Sequence, residues 1–193
     1  IEVTYEAIRK WCKKFAQAYA NQIRRRRPKP ADKWHLDEVV ITIKGQPYYL
    51  WRAVDAEGQV LDILMQPHRD KRAAKKFFRK LLKSTGVAPR VIVTDKLRSY
   101  GAAKKELVPG IEHRQHKGLN NRAENSHRPT RVRERRMGRF KSPGGAQQFL
   151  AAFDPIRSYF HPHQHRQSAT EYRATMRQRL SDWRQFTRLA SVA

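Results

Sequence analysis

Residues 34–55 read Trp34-His35-Leu36-Asp37-Glu38-Val39-Val40-Ile41-Thr42-Ile43-Lys44-Gly45-Gln46-Pro47-Tyr48-Tyr49-Leu50-Trp51-Arg52-Ala53-Val54-Asp55. β-Branched and aromatic residues dominate on both sides of the glycine, the pattern of two strands joined by a tight turn. Leu36–Lys44 and Tyr48–Val54 are the expected strands, and a third, Val60–Met65, follows a second turn at Ala56–Gly58. Connections this short predict an antiparallel meander.

Downstream the apolar period changes. Lys71–Lys83 sets Ala73, Ala74, Phe77, Phe78, Leu81 and Leu82 along one helical stripe with basic residues between them. Arg90–Thr94 is a compact buried-type strand, Lys96–Leu107 a helix, and Ile111–Gln115 a further short strand. This order is expected of an α/β, ribonuclease-H-like core: a mixed five-stranded sheet, antiparallel then parallel, with flanking helices. Upstream, Ile8, Trp11, Cys12, Phe15 and Tyr19 recur every three or four residues behind the candidate N-cap Thr4, predicting an N-terminal helix. Arg24–Arg27 and Pro28-Lys29-Pro30 end it as a basic linker. Helices are expected again over Leu119–Met137, bent at Pro129, over Gly145–Phe160 and over Ala169–Thr187. The expected domains are a partial DNA-binding segment (1–27), a linker (28–33), the α/β core (34–140) and a C-terminal helical region (141–193). The chain opens at Ile1, not Met, and so reads as a fragment. Thr4–Tyr19 then reads as the second helix of a helix-turn-helix whose first helix precedes Ile1.

Composition narrows the partner. Among 193 residues there are 42 Lys and Arg against 17 Asp and Glu, a net charge of +25, while 39% hydrophobic residues suffice for a core. Such a charge repels itself unless a polyanion is the natural partner, and nucleic acid is the expected one. A membrane partner is not expected, because no apolar run is long enough to span and no amphipathic anchor accompanies the charge. The single Cys12 excludes an intramolecular disulfide and a cysteine-rich zinc finger.

Asp37 lies in the first strand and Asp95 ends Val91-Ile92-Val93-Thr94-Asp95. If these strands are parallel neighbours, both carboxylates reach the edge where open α/β sheets gather functional groups. Taken singly, an Asp at a strand end also fits a turn or cap. Glu124 is the candidate third carboxylate for holding divalent cations. On a helix it would share a face with His127, Arg128 and Arg131, although its spacing also fits a solvated, charge-paired surface. Arg131, Arg133, Arg135, Arg136, Arg139 and Lys141 are the densest basic cluster, suited to lie along DNA. His113 and His116 fit a phosphate-facing strip, His161, His163 and His165 a solvated loop, and Trp34 and Trp51 the core.

Trp34–Glu38, Tyr48–Asp55, Thr94-Asp95-Lys96-Leu97-Arg98-Ser99-Tyr100 and Asn120-Asn121-Arg122-Ala123-Glu124 together resemble transposases of bacterial insertion sequences, more narrowly the insertion-sequence-six family. The likeness runs in order from the N-terminal helix to about residue 187. It implies a DDE integrase-type catalytic core whose acidic residues, catalytic and metal-binding, are Asp37, Asp95 and Glu124. Only 28 residues separate the last two, fewer than in many relatives, a difference located near Val108–Gly110. The implied activity is metal-dependent cleavage of DNA followed by attack of the freed 3′-OH on target DNA. The implied cofactors are two Mg²⁺ ions, with Mn²⁺ as a substitute. The partners are double-stranded DNA, as transposon ends and target, and further copies of the chain in a homodimer or higher oligomer on DNA. The setting is a bacterial cytoplasm, at the nucleoid. Residues expected to contact DNA are Arg24, Arg25, Arg26, Arg27, Lys96, Arg98, Arg122, His127, Arg128, Arg131, Arg133 and Arg136. Two rival readings are an inactive transposon remnant that binds nucleic acid by charge alone, and a stand-alone ribonuclease-H-like nuclease.

Overall fold

The expected hairpin forms. In the computed structural model, which describes residues 2–161 and 167–189, β1 (Lys33–Ile43) pairs antiparallel with β2 (Gln46–Asp55), from Trp34↔Asp55 to Ile43↔Gln46. Lys44 and Gly45 make the turn at φ of 50° and 78°, the double left-handed conformation that lets a two-residue turn match the twist of its strands. β3 (Val60–Gln66) continues the meander antiparallel to β2. Its turn is held by Asp55, whose Oδ1 accepts from the backbone N–H of Glu57 at 3.0 Å and of Gln59 at 2.9 Å.

β4 (Val91–Thr94) adds to the free edge of β1 in parallel, from Lys33↔Val91 to His35↔Val93, and β5 (Glu112–Gln115) adds parallel to β4. The sheet order is β3-β2-β1-β4-β5, the mixed five-stranded arrangement expected. β1 is therefore central.

α2 (Lys71–Thr85) and α3 (Arg98–Leu107) cover one sheet face. Asp70 caps α2 by accepting from Ala73 N–H at 2.7 Å, and Gly86, at φ 68°, ends it by donating to Leu82 O at 3.0 Å. Its apolar stripe meets alternate residues of β1 and β2, so Trp34, Leu36, Trp51, Ala53, Phe77, Phe78, Leu81 and Tyr100 form one buried cluster. Trp51 packs edge-on to Tyr100 with ring centroids 5.3 Å apart and lies 6.1 Å from Phe77. Trp34 and Trp51 are core residues, as expected.

The other face carries two short helices where one bent helix was expected. α4 (Asn121–Ser126) and α5 (Arg128–Arg136) separate at His127. Pro129 is accommodated in the first turn of α5, where a backbone N–H has no helical acceptor to lose.

The chain divides into two compact units, Lys29–Leu150 and Ile1–Pro28 with Ala151–Ala193. In the second, α1 (Tyr5–Arg26) starts at Thr4, whose hydroxyl accepts from Ala7 N–H at 3.2 Å. α1 extends past Tyr19 to take in Arg24–Arg26, cations placed favourably at the helix C-terminus. Its burial falls at Ala20 and Ile23, while Ile8 and Trp11 are 48% and 52% exposed, so the upstream part of the apolar stripe is not a core face in the described residues. α6 (Pro143–Phe160) and α7 (Ala169–Leu189) complete the description. Trp183 of α7 packs edge-on to Tyr19 at 5.0 Å and to Phe160 at 5.3 Å. No described helix is long and apolar enough to cross a membrane.

Phe77 of α2 is fully buried in the core cluster, beside Trp51 of β2. Phe77→Ala is expected to destabilise the protein by about 3–5 kcal/mol, read as a lowered urea midpoint at unchanged slope.

Candidate active site

The parallel pairing of β1 with β4 places two carboxylates in register. The last paired residues are His35 and Val93, and two positions beyond each lie Asp37 and Asp95. Both line one cleft of about 540 Å³ together with Val39, Lys96, Asn120 and Glu124. The structure thus gathers all three acidic residues singled out by the sequence.

They are not equivalent. Asp37, Glu38 and Asp95 each offer a carboxylate oxygen, and these oxygens lie within 4.8 Å of one another; Glu124 falls outside this group. Burial first, then the charges of Glu38 and Asp95, push the Asp37 carboxyl up to about 7, with Glu124 adding to the effect. Asp95 is more open. Its Oδ1 accepts from Leu97 N–H at 3.0 Å, turning the chain into α3, and its Oδ2 lies 3.5 Å from the Arg69 guanidinium. Glu124 stands exposed on α4.

Sequence reasoning missed the role of Glu38. An adjacent strand residue should point to the opposite face, yet beyond His35 β1 no longer pairs with β4, and the Glu38 carboxylate still reaches the acidic group. It accepts from Tyr100 Oη at 2.6 Å and from Arg69 Nε at 2.6 Å. Burial raises its pKa while Tyr100 and Arg69 oppose the rise. The Tyr100 phenol, fully buried beside this carboxylate, is pushed well above its usual range by burial and then by Glu38. Glu38 thereby fixes Arg69 at the rim of the cleft.

Two further tethers hold α4. Arg52, opposite Asp37 in the β1–β2 register and 1% exposed, donates from Nη1 to Ser126 O at 2.7 Å and from Nη2 to Thr130 Oγ1 at 2.6 Å. Buried Asn120 donates from Nδ2 to Leu36 O at 2.9 Å. That bond orients the amide, and its Oδ1 is buried without a hydrogen-bond partner among the described residues, at the wall of the cleft. The available signals were a charged residue inside the apolar strand Tyr48-Tyr49-Leu50-Trp51-Arg52-Ala53-Val54 and an Asn before a short helix.

The expected cations scatter. Lys96 lines the cleft and Arg98 is exposed at the start of α3. Arg122 is half-buried; with Lys33, and after burial itself, it holds His35 down to about 4. Arg128, Arg133 and Arg136 are exposed on α5, and Arg131 pairs with Glu134 at 3.3 Å. His127 does not share the exposed face of Glu124. It is 4% exposed, its Nε2 lies 3.5 Å from Asp37 Oδ2, and burial, then Arg52 and Arg131, hold it well below its usual pKa. A buried neutral imidazole does not suit a phosphate contact. In the other unit, Arg24 donates to Ala151 O at 2.5 Å, Arg26 lies over the Phe186 ring at 4.4 Å, and Arg25 is exposed. His113 is no basic-strip residue either: half-buried, it meets Thr94 Oγ1 at 2.9 Å, and burial lowers its pKa. His161 is exposed, while His163 and His165 lie outside the described residues.

Fold and site together define a class: an α/β core of ribonuclease-H-like strand order with carboxylates gathered at the ends of neighbouring parallel strands. Residues 31–163 match the family described as a DDE domain, and the chain belongs to that family. It is 33% identical over 141 residues to the transposase for insertion sequence-like element IS431mec of Staphylococcus aureus, covering 70% of this chain and 62% of that protein. The transposase for insertion sequence element IS257 in transposon Tn4003, also from Staphylococcus aureus, matches with the same identity and coverage. The chain spans about 62% of the length of these curated relatives. Among solved structures, the catalytic core domain of BIV integrase aligns at 14% identity over 79% of this chain and 99% of that one, with a TM-score of 0.49. The resemblance to insertion-sequence transposases is borne out.

A carboxyl raised in the folded state binds its proton more tightly folded than unfolded, so stability falls as pH rises from about 4 to about 7 and stays reduced above. Asp37→Asn removes this penalty. It is expected to stabilise the metal-free protein above pH 7, on the order of a few kcal/mol, and to give no gain below about pH 4. Thermal melting across that range checks the sign. Arg52→Lys keeps the charge but cannot make both bonds to Ser126 and Thr130, and an expected loss of about 2–3 kcal/mol should appear in urea unfolding, with faster amide exchange in α4.

Proposed function

We propose that the protein is a DDE transposase of a bacterial insertion sequence, which cleaves a DNA phosphodiester and transfers the freed 3′-OH to target DNA. The observation that carries this reading is the meeting of Asp37, Asp95 and Glu124 in one cleft of a chain matching the DDE domain over residues 31–163. In the first step a water oxygen bonds to the scissile phosphorus, the 3′ oxygen leaves, and the water proton is taken up as the 3′-OH forms. In the second, the oxygen of that 3′-OH bonds to a target phosphorus, the target strand's 3′ oxygen leaves, and the proton given up by the attacking hydroxyl is balanced by the one taken up on the leaving oxygen.

The cleft fits divalent cations. Its donors are oxygens, burial and then the neighbouring charges of Glu38 and Asp95 raise Asp37 to about 7, and Asn120 Oδ1 is a buried acceptor without a hydrogen-bond partner among the described residues. Asp37 and Asp95 are the proposed principal ligands that would hold the cations, with Glu124 contributing from α4. All-oxygen chemistry favours Mg²⁺, with Mn²⁺ as a substitute. Bound cations supply Lewis acidity to the attacking and leaving oxygens.

The chain's own residues do the rest. Glu38 and Tyr100 hold Arg69 at the rim, Arg52 and Asn120 hold the helix of Glu124, and Lys96 brings a cation to the cleft wall. Arg98, Arg122, Arg128, Arg131, Arg133 and Arg136, with Arg24–Arg27 in the other unit, are the proposed contacts along double-stranded transposon ends and target. Sequence-independent phosphate contacts of this kind set register and leave specificity to other groups. A homo-oligomer assembled on DNA, at the nucleoid of a bacterial cytoplasm, completes the proposal.

Purified protein on a labelled transposon end, with and without Mg²⁺, tests it. Metal-dependent cleavage and strand transfer are expected. Asp37→Asn, Asp95→Asn and Glu124→Gln should each lose about 10³-fold or more in rate, about 4 kcal/mol of barrier, while DNA affinity is kept. Full activity of Glu124→Gln together with an inactive Glu38→Gln would move the third carboxylate role to Glu38; cleavage without any metal would overturn the reading.

A further inference from the structure

α2 carries seven Lys and Arg residues, and the fold sorts them into two groups. Lys71 and Lys75 both pair with Glu106, and Lys80 pairs with Asp62. Arg72, Lys76, Arg79 and Lys83 are exposed and make no ion pair among the described residues. Their spacing of four, three and four is the helical repeat. At about 100° per residue the four side chains fall within about 60° of arc, and at about 1.5 Å per residue the line is about 16 Å long.

The line has a direction. α2 begins directly after Arg69 and its cap Asp70, and Arg69 bridges Glu38 and Asp95 at the acidic cleft. Arg72 and Arg79, with Asp70, Lys71 and Lys75, also border a surface groove of about 590 Å³. The row of unmatched cations therefore starts beside the carboxylates and runs away from them along one helix.

We propose that Arg72, Lys76, Arg79 and Lys83 form a phosphate track that carries duplex DNA away from the catalytic cleft. This rests on the reading that the cleft acts on DNA. One DNA strand presents a phosphate about every 3.4 Å along the axis, so a line of about 16 Å faces about five of them. A second copy of the chain on the same face would set cations against cations, which favours DNA over self-association. The track holds the part of the substrate beyond the reacting phosphate, which fixes its direction of exit without reading its sequence.

The test compares three double variants on the same helix. Salt dependence of binding to a duplex of about 30 base pairs is measured for the full chain, Arg72→Gln/Lys76→Gln, Lys71→Gln/Lys75→Gln and Arg79→Gln/Lys83→Gln. Each pair removes two charges from exposed or half-exposed positions, where substitutions are usually tolerated. Loss of two phosphate contacts should reduce the slope of log K against log salt by about 1.8 for Arg72→Gln/Lys76→Gln. Lys71→Gln/Lys75→Gln, whose charges Glu106 already matches, should change it by less than half as much. Arg79→Gln/Lys83→Gln should lower the slope by a similar further step. Equal changes in the first two variants, or none in either, would overturn the track while leaving DNA cleavage intact. Absence of salt-dependent DNA binding by the unaltered protein would instead remove the DNA reading itself, and the track with it.

Discussion

Negative charge is concentrated where β1 and β4 stop pairing, and the rest of the core is arranged around that strain. Parallel pairing lasts only from Lys33↔Val91 to His35↔Val93, after which the strands are free to present Asp37, Glu38 and Asp95 to a common point. Bringing like charges together in a half-buried place is unfavourable, as the raised Asp37 pKa records. The compensation comes from packing on the far face. Tyr100 is edge-on to Trp51 inside the core while its hydroxyl donates to Glu38, so the hydrophobic cluster and the acidic group share a residue. A shift in the core would be felt directly at the carboxylates.

The opposite face solves a different problem. α4 has six residues, too few to be stable as an isolated helix. Its position depends on side chains that tie it to the sheet: Arg52 reaches up from β2 to Ser126 and Thr130, and Asn120, just before α4, reaches down to Leu36 O of β1. A buried guanidinium is costly unless its donors are satisfied. Arg52 therefore both demands the contact and fixes the element that carries Glu124. Glu124 itself stays exposed on a small element, the arrangement in which local movement is least expensive. The outlying position of Glu124 relative to the tight acidic group follows from this division between a rigid pair on strands and a third acid on a tethered turn of helix.

Charge is distributed by the same logic. With 17 acidic residues against 42 basic ones, the acids decide which cations are neutralised and which face outward. Glu106, Asp62, Glu38 and Glu134 each take up particular lysines or arginines. The cations left over define where a polyanion can lie, and interactions of that kind are screened beyond about 8 Å at physiological salt. Net charge alone says that the surface suits such a partner; only the pairing pattern says where the unmatched cations lie.

Sequence by itself determined the elements of the core and singled out Asp37, Asp95 and Glu124. The two turns, the strand runs, the stripe of α2 and the motifs around Asp37, Asp95 and Glu124 are local patterns, and periodicity reports burial within one element whatever surrounds it. It also suggested an apolar face for α1 at Ile8 and Trp11, and there the described structure puts burial at Ala20 and Ile23 instead. What only the tertiary structure decided were relations between distant residues. His127 turned inward to Asp37, Glu38 joined the acidic group, Arg52 reached across 78 positions to Thr130, and one expected helix became two. None of these has a period or a spacing to read, because each depends on where the sheet stops pairing and which buried donor must find an acceptor.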